Sequence, residues 1–479
     1  MGVDVVVLSR DNQSGMADQL VFRQSGDVHL SVKSVLRSVL RSFRSLFPAV
    51  PGLTKRLELC HVVLISPFTS PELTHWTLAN GVHCVAAEMP DAPLMCLDFW
   101  CRAGSASEDT GEEGMAHFLE HMVFKGSERL GAGEFDRAIE ALGGSSNAAT
   151  GFDDVHFHVL IPPDQASVAL ELLLDLVLNP SLAEKTFDLE RDVVLEEIAQ
   201  YEDQPDEQVL QQTLSRACPQ HAYGRPILGR PESLRAMTPA SMRRFHQQRY
   251  RGSDCCLAVS GCGVDGLKQS IETSPLSALP AATARSSHSG LDLCPGRHHI
   301  QVERLESARL LMVWSGAAAA DQCWVVGADL ATTLLGEGRR SRLVARLREE
   351  LQIAETVDMD LTSLERGSLI TLEISCNPTH LEAVETCIQE QLTTAELFTP
   401  MELERGRQLV GKGLRYSLES SAQVASMAAS HRLWGREQNL LHPLTHLRSW
   451  SSERLQAELM QQLHPDRACT LIATPGSRH

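Results

Sequence analysis

The sequence predicts an α+β protein built as two related domains, and three observations carry that expectation. The chain has 479 residues, too many for one ordinary hydrophobic core, and two domains of roughly 200 residues are the natural division. Short segments of alternating apolar residues lie among longer segments of helical period in the first half, and the second half looks like a degenerate repeat of it. Residues 250–259 (YRGSDCCLAV) are echoed by residues 464–473 (HPDRACTLIA), each a turn leading into a strand near the end of its half.

Composition narrows the function classes. A hydrophobic content of 43% supports a globular chain, and a formal net charge of −18 argues against nucleic-acid binding while suiting solubility or basic substrates. The thirteen cysteines are an odd number without a C-x-x-C pair. Free thiols in a reducing, soluble compartment such as the cytoplasm follow as the expectation. No run of about 20 apolar residues is present, so no transmembrane segment is expected. The most apolar stretch, 167–178, is broken by Glu171 and Asp175 and reads as an amphipathic helix.

Residues 1–72 are expected to form a poorly ordered or amphipathic extension. Within them, 31–47 place Val32, Val35, Leu36, Val39, Leu40 and Phe43 on one side, offset from Lys33, Arg37, Arg41 and Arg44. Such a basic, acid-free stretch suits peripheral contact with a membrane surface. Strand signals begin at Thr74, turn at Asn80-Gly81, resume through Val85 and return from Leu94 to Trp100.

The next segment organises the chain. In His117-Phe118-Leu119-Glu120-His121 the spacing i, i+3, i+4 puts His117, Glu120 and His121 on one helical face. Two imidazoles so placed can hold a zinc ion, and the carboxylate between them can reach a water on it. HxxEH is the inverse of HExxH and is a zinc-peptidase motif. The alternative is a core helix whose polar residues are merely hydrogen-bonded. Thr110 with Glu113 reads as a capping box, Gly126 as a stop, and Met115, Phe118, Leu119 and Met122 as the buried side.

Phe135, Ala138, Ile139 and Leu142 mark a short helix closed by Gly143-Gly144. Asn147 to Thr150 and the alternating Val155, Phe157, Val159 and Ile161 read as strands. His156 and His158 face away from that apolar set and are read as hydrogen-bonded strand residues rather than ligands. After Pro162-Pro163, residues 166–178 form the next helix. Ser181 with Glu184 is a second capping-box candidate, opening a helix that carries Glu190, Glu196 and Glu197. A two-histidine zinc site needs a third protein ligand, which a carboxylate on a neighbouring helix can supply. Glu190 and Glu197 share a face, whereas Glu196 looks elsewhere.

Four segments in order, GMAHFLEHMVFKG, ALGGSSNAATGFDD, ERDVVLEEI and GRPILG, resemble the pitrilysin/insulinase-type zinc peptidases. The likeness is strongest to two-domain members related to mitochondrial processing peptidases, and it runs from about Leu73 to the C-terminal end. It implies two homologous α+β domains, each an antiparallel-rich sheet with packed helices: a catalytic domain over 73–273, a linker over 274–297 and a C-terminal domain over 298–479 without the zinc motif. It also implies one zinc ion per chain held by His117, His121 and Glu197, with Glu120 as general base and Glu190 as support behind the ligands. Asn147, Ala148, Ala149 and Thr150 would pair with an extended peptide, and Glu207 occupies a position where processing-type members contact a basic substrate side chain. In the second half, residues 336–343 resemble the family's glycine-rich turn, and Arg348 keeps its substrate-holding arginine. Glu355 stands where the family has a tyrosine.

The expected function is therefore a zinc-dependent endopeptidase that hydrolyses peptides or unfolded segments with a metal-activated water in a clam-shell chamber. The altered tyrosine position favours a heterodimer with a zinc-less homologous chain, with a homodimer as the alternative. A different class, a non-catalytic assembly subunit, fits the N-terminal extension but not the retained motif.

Overall fold

The structure, a computed structural model, describes residues 70–282, 290–436 and 438–476. The expectations placed on residues 1–69, including the amphipathic stretch 31–47, lie outside the described residues.

Period-two apolar alternation produces strands wherever it was read. The first half contains β1 (Leu73–Thr77), β2 (His83–Glu88), β3 (Met95–Cys101), β4 (Ser145–Thr150), β5 (Val155–Ile161) and β6 (Cys255–Gly261). They form one sheet in the order β1-β2-β6-β3-β5-β4, in which only the β2–β6 pairing is parallel. The second half contains β7 (Gly296–Val302), β8 (Ala308–Ser315), β9 (Thr356–Thr362), β10 (Leu369–Cys376) and β11 (Cys469–Pro475), in the order β7-β11-β8-β10-β9. Again one pairing, β7–β11, is parallel. With β1 set aside the two orders coincide strand for strand, and β6 and β11 occupy equivalent places, as the echo of 250–259 in 464–473 predicts. The chain is thus α+β with two topologically equivalent, antiparallel-rich halves.

Helices of eight or more residues are numbered here. They are α1 (Met115–Val123), α2 (Glu134–Ala141), α3 (Ala166–Leu178), α4 (Glu184–Glu202), α5 (Pro205–Ala217) and α6 (Pro239–Arg249) in the first half. In the second they are α7 (Gln322–Gly336), α8 (Leu381–Thr393), α9 (Pro400–Ser417) and α10 (Ser421–Leu433). One face of the first sheet, through Leu97, Phe99, Phe157 and Val159, packs on Met115, Phe118, Leu119 and Met122 of α1, and on α3 and Phe187 of α4. Burying an apolar side chain of this size contributes roughly 1.5–3 kcal/mol, so α1 is fixed by its apolar side, and its polar side is turned toward α4 and β4.

Two helices cross between the halves. The small residues Ala425, Ala428 and Ala429 of α10 pack on Val85, Cys96, Trp100, Cys256 and Ala258 of the first sheet. Val209, Leu214 and Ala217 of α5 pack on Leu311, Val313 and Leu471 of the second. A buried polar seam runs beside them: Tyr223 donates to Asp153 at 2.7 Å, Trp434 to Asp154 at 3.0 Å, and Arg436 pairs with Glu365 at 2.7 Å. The Trp434–Asp154 bond crosses between the halves, as do those from Glu365 N to Asp153 at 2.9 Å and from Arg366 N to the Tyr223 hydroxyl at 3.1 Å, so the halves are joined by both apolar and polar contacts. Among the described residues no helix is long and apolar enough to cross a membrane.

Candidate metal centre

The HxxEH residues lie on α1, whose start is set by a device the sequence reading did not identify. The expected capping box of Thr110 and Glu113 is not formed: the N-cap is Gly114, at φ +93°, with no side-chain cap. Glu108 takes the role instead, its carboxyl accepting from Gly114 N at 3.1 Å and Ala116 N at 2.8 Å. Glu113 accepts from Gly111 N and Ser233 Oγ. The GRPILG segment closes against the same point. A Cβ on Gly229 would stand 2.3 Å from Glu113 O, and one on Gly114 2.6 Å from Leu228 O, so two glycines let this loop seat on the helix start. At α4 the expected Ser181–Glu184 box is also absent, the N-cap being Ala183 without a side-chain bond.

Glu108 is almost fully buried, and burial pushes its pKa up to about 8 against the lowering by its two backbone donors and Arg225. A carboxyl raised above its unfolded value stabilises fully below about 4.5 and loses that contribution as pH rises through about 8. Glu108→Gln, permanently neutral, is expected to flatten the pH dependence of the melting temperature over this window and to melt above the parent at the alkaline end. Glu108→Ala leaves two buried donors unpaired and is expected to cost about 1–3 kcal/mol, measured by denaturant unfolding.

α4 brings the remaining carboxylates to α1. Glu197 Oε2 stands 3.3 Å from His121 Nε2 and 3.8 Å from His117 Nε2. One ligand atom from each of the three residues falls within 4.8 Å of the others. Donors around a tetrahedral zinc with bonds near 2.0–2.1 Å stand about 3.3 Å apart, so the set fits a zinc ion in kind and in spacing. Burial, and then the neighbouring His121, push His117 down to about 4, which keeps its ring neutral at pH 7. Burial opposes charge on His121 as well, but its hydrogen bond to Glu190 and the nearby Glu197 outweigh it and hold the ring above its ordinary value.

Glu190 sits between His121 and Lys125. Its Oε1 is 2.9 Å from His121 Nδ1 and its Oε2 2.9 Å from Lys125 Nζ. Burial would raise this carboxyl, yet the bonds to His121 and Lys125 prevail and keep it below the usual range. Glu196 is exposed and turned away.

Glu120 completes the helix face. The Thr150 hydroxyl donates to its Oε2, and burial raises its pKa despite that bond and the nearby His121 and His156. Thr150, read from sequence only as part of a peptide-pairing strand, thus also positions Glu120. β4 is the last strand of its sheet, and Asn147 Oδ1 takes the Ala148 N–H at 2.9 Å. Ala148 packs on the core while Asn147 and Ala149 are exposed.

The remaining sequence candidates lie apart from this cluster. Of the acidic run that spans the end of α4 and the first turn of α5, Asp203 pairs with Arg304 at 2.9 Å and Asp206 with Arg309 at 2.8 Å, so part of its charge is met within the chain. Glu207 is half-buried in the first turn of α5 and has no ion-pair partner among the described residues. Arg348 pairs with the adjacent Glu349, and Glu355 accepts from Ser307. A separate cavity of about 710 Å³ between the halves is lined by Asp153, Asp154, Asp329, Glu365 and Arg436 and by none of His117, Glu120 and His121.

Among the described residues the histidine pair and its carboxylate partner occur only in the first of two equivalent α+β halves, an arrangement that suits a two-domain metallopeptidase. Residues 84–231 match the model of the insulinase family, peptidase family M16, and residues 236–410 that of the peptidase M16 inactive domain. The chain belongs to the insulinase family, M16. It is 27% identical to an uncharacterized zinc protease of Bacillus subtilis over 412 residues, covering 85% of this chain and 99% of that protein. It is 27% identical to an uncharacterized zinc protease of Mycobacterium leprae over 411 residues, 84% of this chain and 92% of that one. A crystal structure of a protease from Helicobacter pylori shares the fold at TM-score 0.78 and 22% identity, covering 85% of this chain and all of that one. So does a structure of a peptidase M16 inactive domain from Pseudomonas fluorescens, at TM-score 0.76 and 18% identity, covering 85% and 99%. At family level the chain is a metalloprotease of the zinc type.

Proposed function

We propose that this chain is a zinc-dependent endopeptidase acting on peptides or unfolded polypeptide segments, with one zinc ion held by His117, His121 and Glu197. The observation that carries the reading is the gathering of these three donors within 4.8 Å, on the same helix face as a carboxylate held by Thr150. A zinc ion there supplies Lewis acidity, polarising the scissile carbonyl and making an attacking water more acidic.

The chain's own residues do the rest. Glu120 takes a proton from the water as its oxygen bonds to the peptide carbon, and returns it to the amide nitrogen as the C–N bond breaks; the second proton passes from the new carboxyl to the amine, leaving a carboxylate and an ammonium. Its raised pKa brings it closer to working pH, where a base both is ionised and holds a proton well. Glu190 accepts from His121 Nδ1, which fixes the tautomer that leaves Nε2 free to ligate. The open edge of β4 receives an extended peptide through main-chain bonds, which requires the Asn147 side chain to release Ala148 N. Glu207 faces a basic substrate side chain, and Arg348 binds peptide.

Arg348 and Glu355 are engaged with Glu349 and Ser307 rather than with each other. This supports a working unit in which a second, homologous chain closes the clam-shell chamber and supplies an arginine–tyrosine pair, the tyrosine of which this chain lacks. Co-purification with a homologous chain, about one zinc per copy of this chain, and cleavage of a quenched-fluorescence peptide that stops with chelator and returns with zinc are the expected results. Metal-free protein from a zinc-replete preparation, or cleavage indifferent to chelator, refutes the peptidase reading and leaves an assembly role.

A further inference from the structure

A second set of metal-type donors lies on the sheet itself, on the paired strands β3 and β5. Register pairs Asp98 of β3 with His158 of β5, and His156 is two residues back on β5, so all three side chains emerge on one face. That face is opposite to the one formed by Leu97, Phe99, Phe157 and Val159. Asp98 is buried at 1% exposure, while the two histidines are half-buried. Asp98 Oδ1 stands 3.0 Å from His156 Nδ1. The His156 and His158 rings lie 5.6 Å apart and 16° from parallel, and His156 is stacked on Trp100 at 4.5 Å. One donor atom from each of the three residues lies within 4.8 Å of the other two.

We propose that Asp98, His156 and His158 form a second divalent-metal site, of the class that takes zinc, independent of His117, His121 and Glu197. Two imidazoles and a carboxylate suit zinc and its neighbours among the transition metals rather than magnesium or calcium, which prefer all-oxygen sets. The 3.0 Å gap is already close to the roughly 3.3 Å between ligands of one zinc ion. The three residues stand on adjacent paired strands, whose backbone spacing is fixed by the ladder, so small side-chain rotations suffice. Metal binding replaces the proton shared by Asp98 and His156 and releases it to solvent. None of these groups is a ligand, base or substrate contact in the hydrolysis described above, although His156 lies near Glu120, and the apolar core does not use them, yet a carboxylate is kept buried beside the histidines. Occupancy would tie β5 to β3 directly beside β4, the strand that carries Thr150 and the open edge.

The test is the zinc content of the full chain after equilibration with excess zinc chloride and desalting, read by mass spectrometry. His158→Gln, a change at a half-exposed position, is expected to lower the content by about one zinc per chain. It should do so both in the parent and in a His117→Ala, His121→Ala background, which isolates the sheet site from the helix site. Asp98→Asn, which keeps the shape but weakens the ligand, should act in the same direction, with folding followed by circular dichroism. Zinc content unchanged by His158→Gln in both backgrounds overturns the proposal whatever happens at α1, and failure of the helix site alone leaves the His158→Gln difference intact.

Discussion

Glu120→Gln is expected to lower kcat/KM for peptide cleavage by about 10²–10⁴-fold with zinc content unchanged. The amide is isosteric and can still accept the Thr150 hydroxyl, so the side chain should stay where it is. What it loses is the ability to carry a proton from the attacking water to the departing nitrogen. Stability should not fall, because the substitution removes a carboxylate whose burial disfavours its charged form. The same geometry sets the acid limb of the parent's pH profile. The base must be ionised, so activity falls as pH drops through the Glu120 pKa. Burial places that pKa above the ordinary 4.5, and the limb should lie correspondingly higher. Turnover retained by Glu120→Gln with full zinc would remove Glu120 from the mechanism.

The parts of this site that sequence could disclose are the parts governed by local geometry. A helix fixes i, i+3 and i+4 to one face, so His117, Glu120 and His121 were readable as a set, and two turns related Glu190 to Glu197. The partnership between α1 and α4 is tertiary, and the ordered motifs rather than periodicity pointed to Glu197. The capping-box rule looks three residues away and so misses this helix start. Glu108 instead reaches Gly114 and Ala116 after the chain has doubled back. The positive-φ Gly111 and Gly114 were the available sign of that turn. Thr150 was placed correctly on an edge strand, but its bond to Glu120 depends on how β4 meets α1. The pairing of Asp203 with Arg304 and of Asp206 with Arg309 joins the two halves, as does the seating of α10 on the first sheet. Separations of this length leave no periodic trace in the sequence.

Glu190→Ala is expected to weaken zinc binding at α1 by about 10–100-fold, and two opposed effects decide that figure. Losing the carboxylate lowers the proton affinity of His121, which by itself eases metal entry, because the ligand must be unprotonated. Against this, His121 loses the acceptor that fixes its tautomer and ring angle, and Lys125 is left as an unmatched cation beside the centre. The second effect should prevail, since it acts on the metal-loaded state, in which the extra proton on His121 is already gone. Chelator competition measures the affinity, and activity at excess zinc separates positioning from chemistry. Glu190→Ala should recover most of its turnover as zinc is raised, whereas Glu120→Gln should stay inactive at every zinc concentration. An unchanged affinity in Glu190→Ala would show that packing around α1, and not this carboxylate, orients His121.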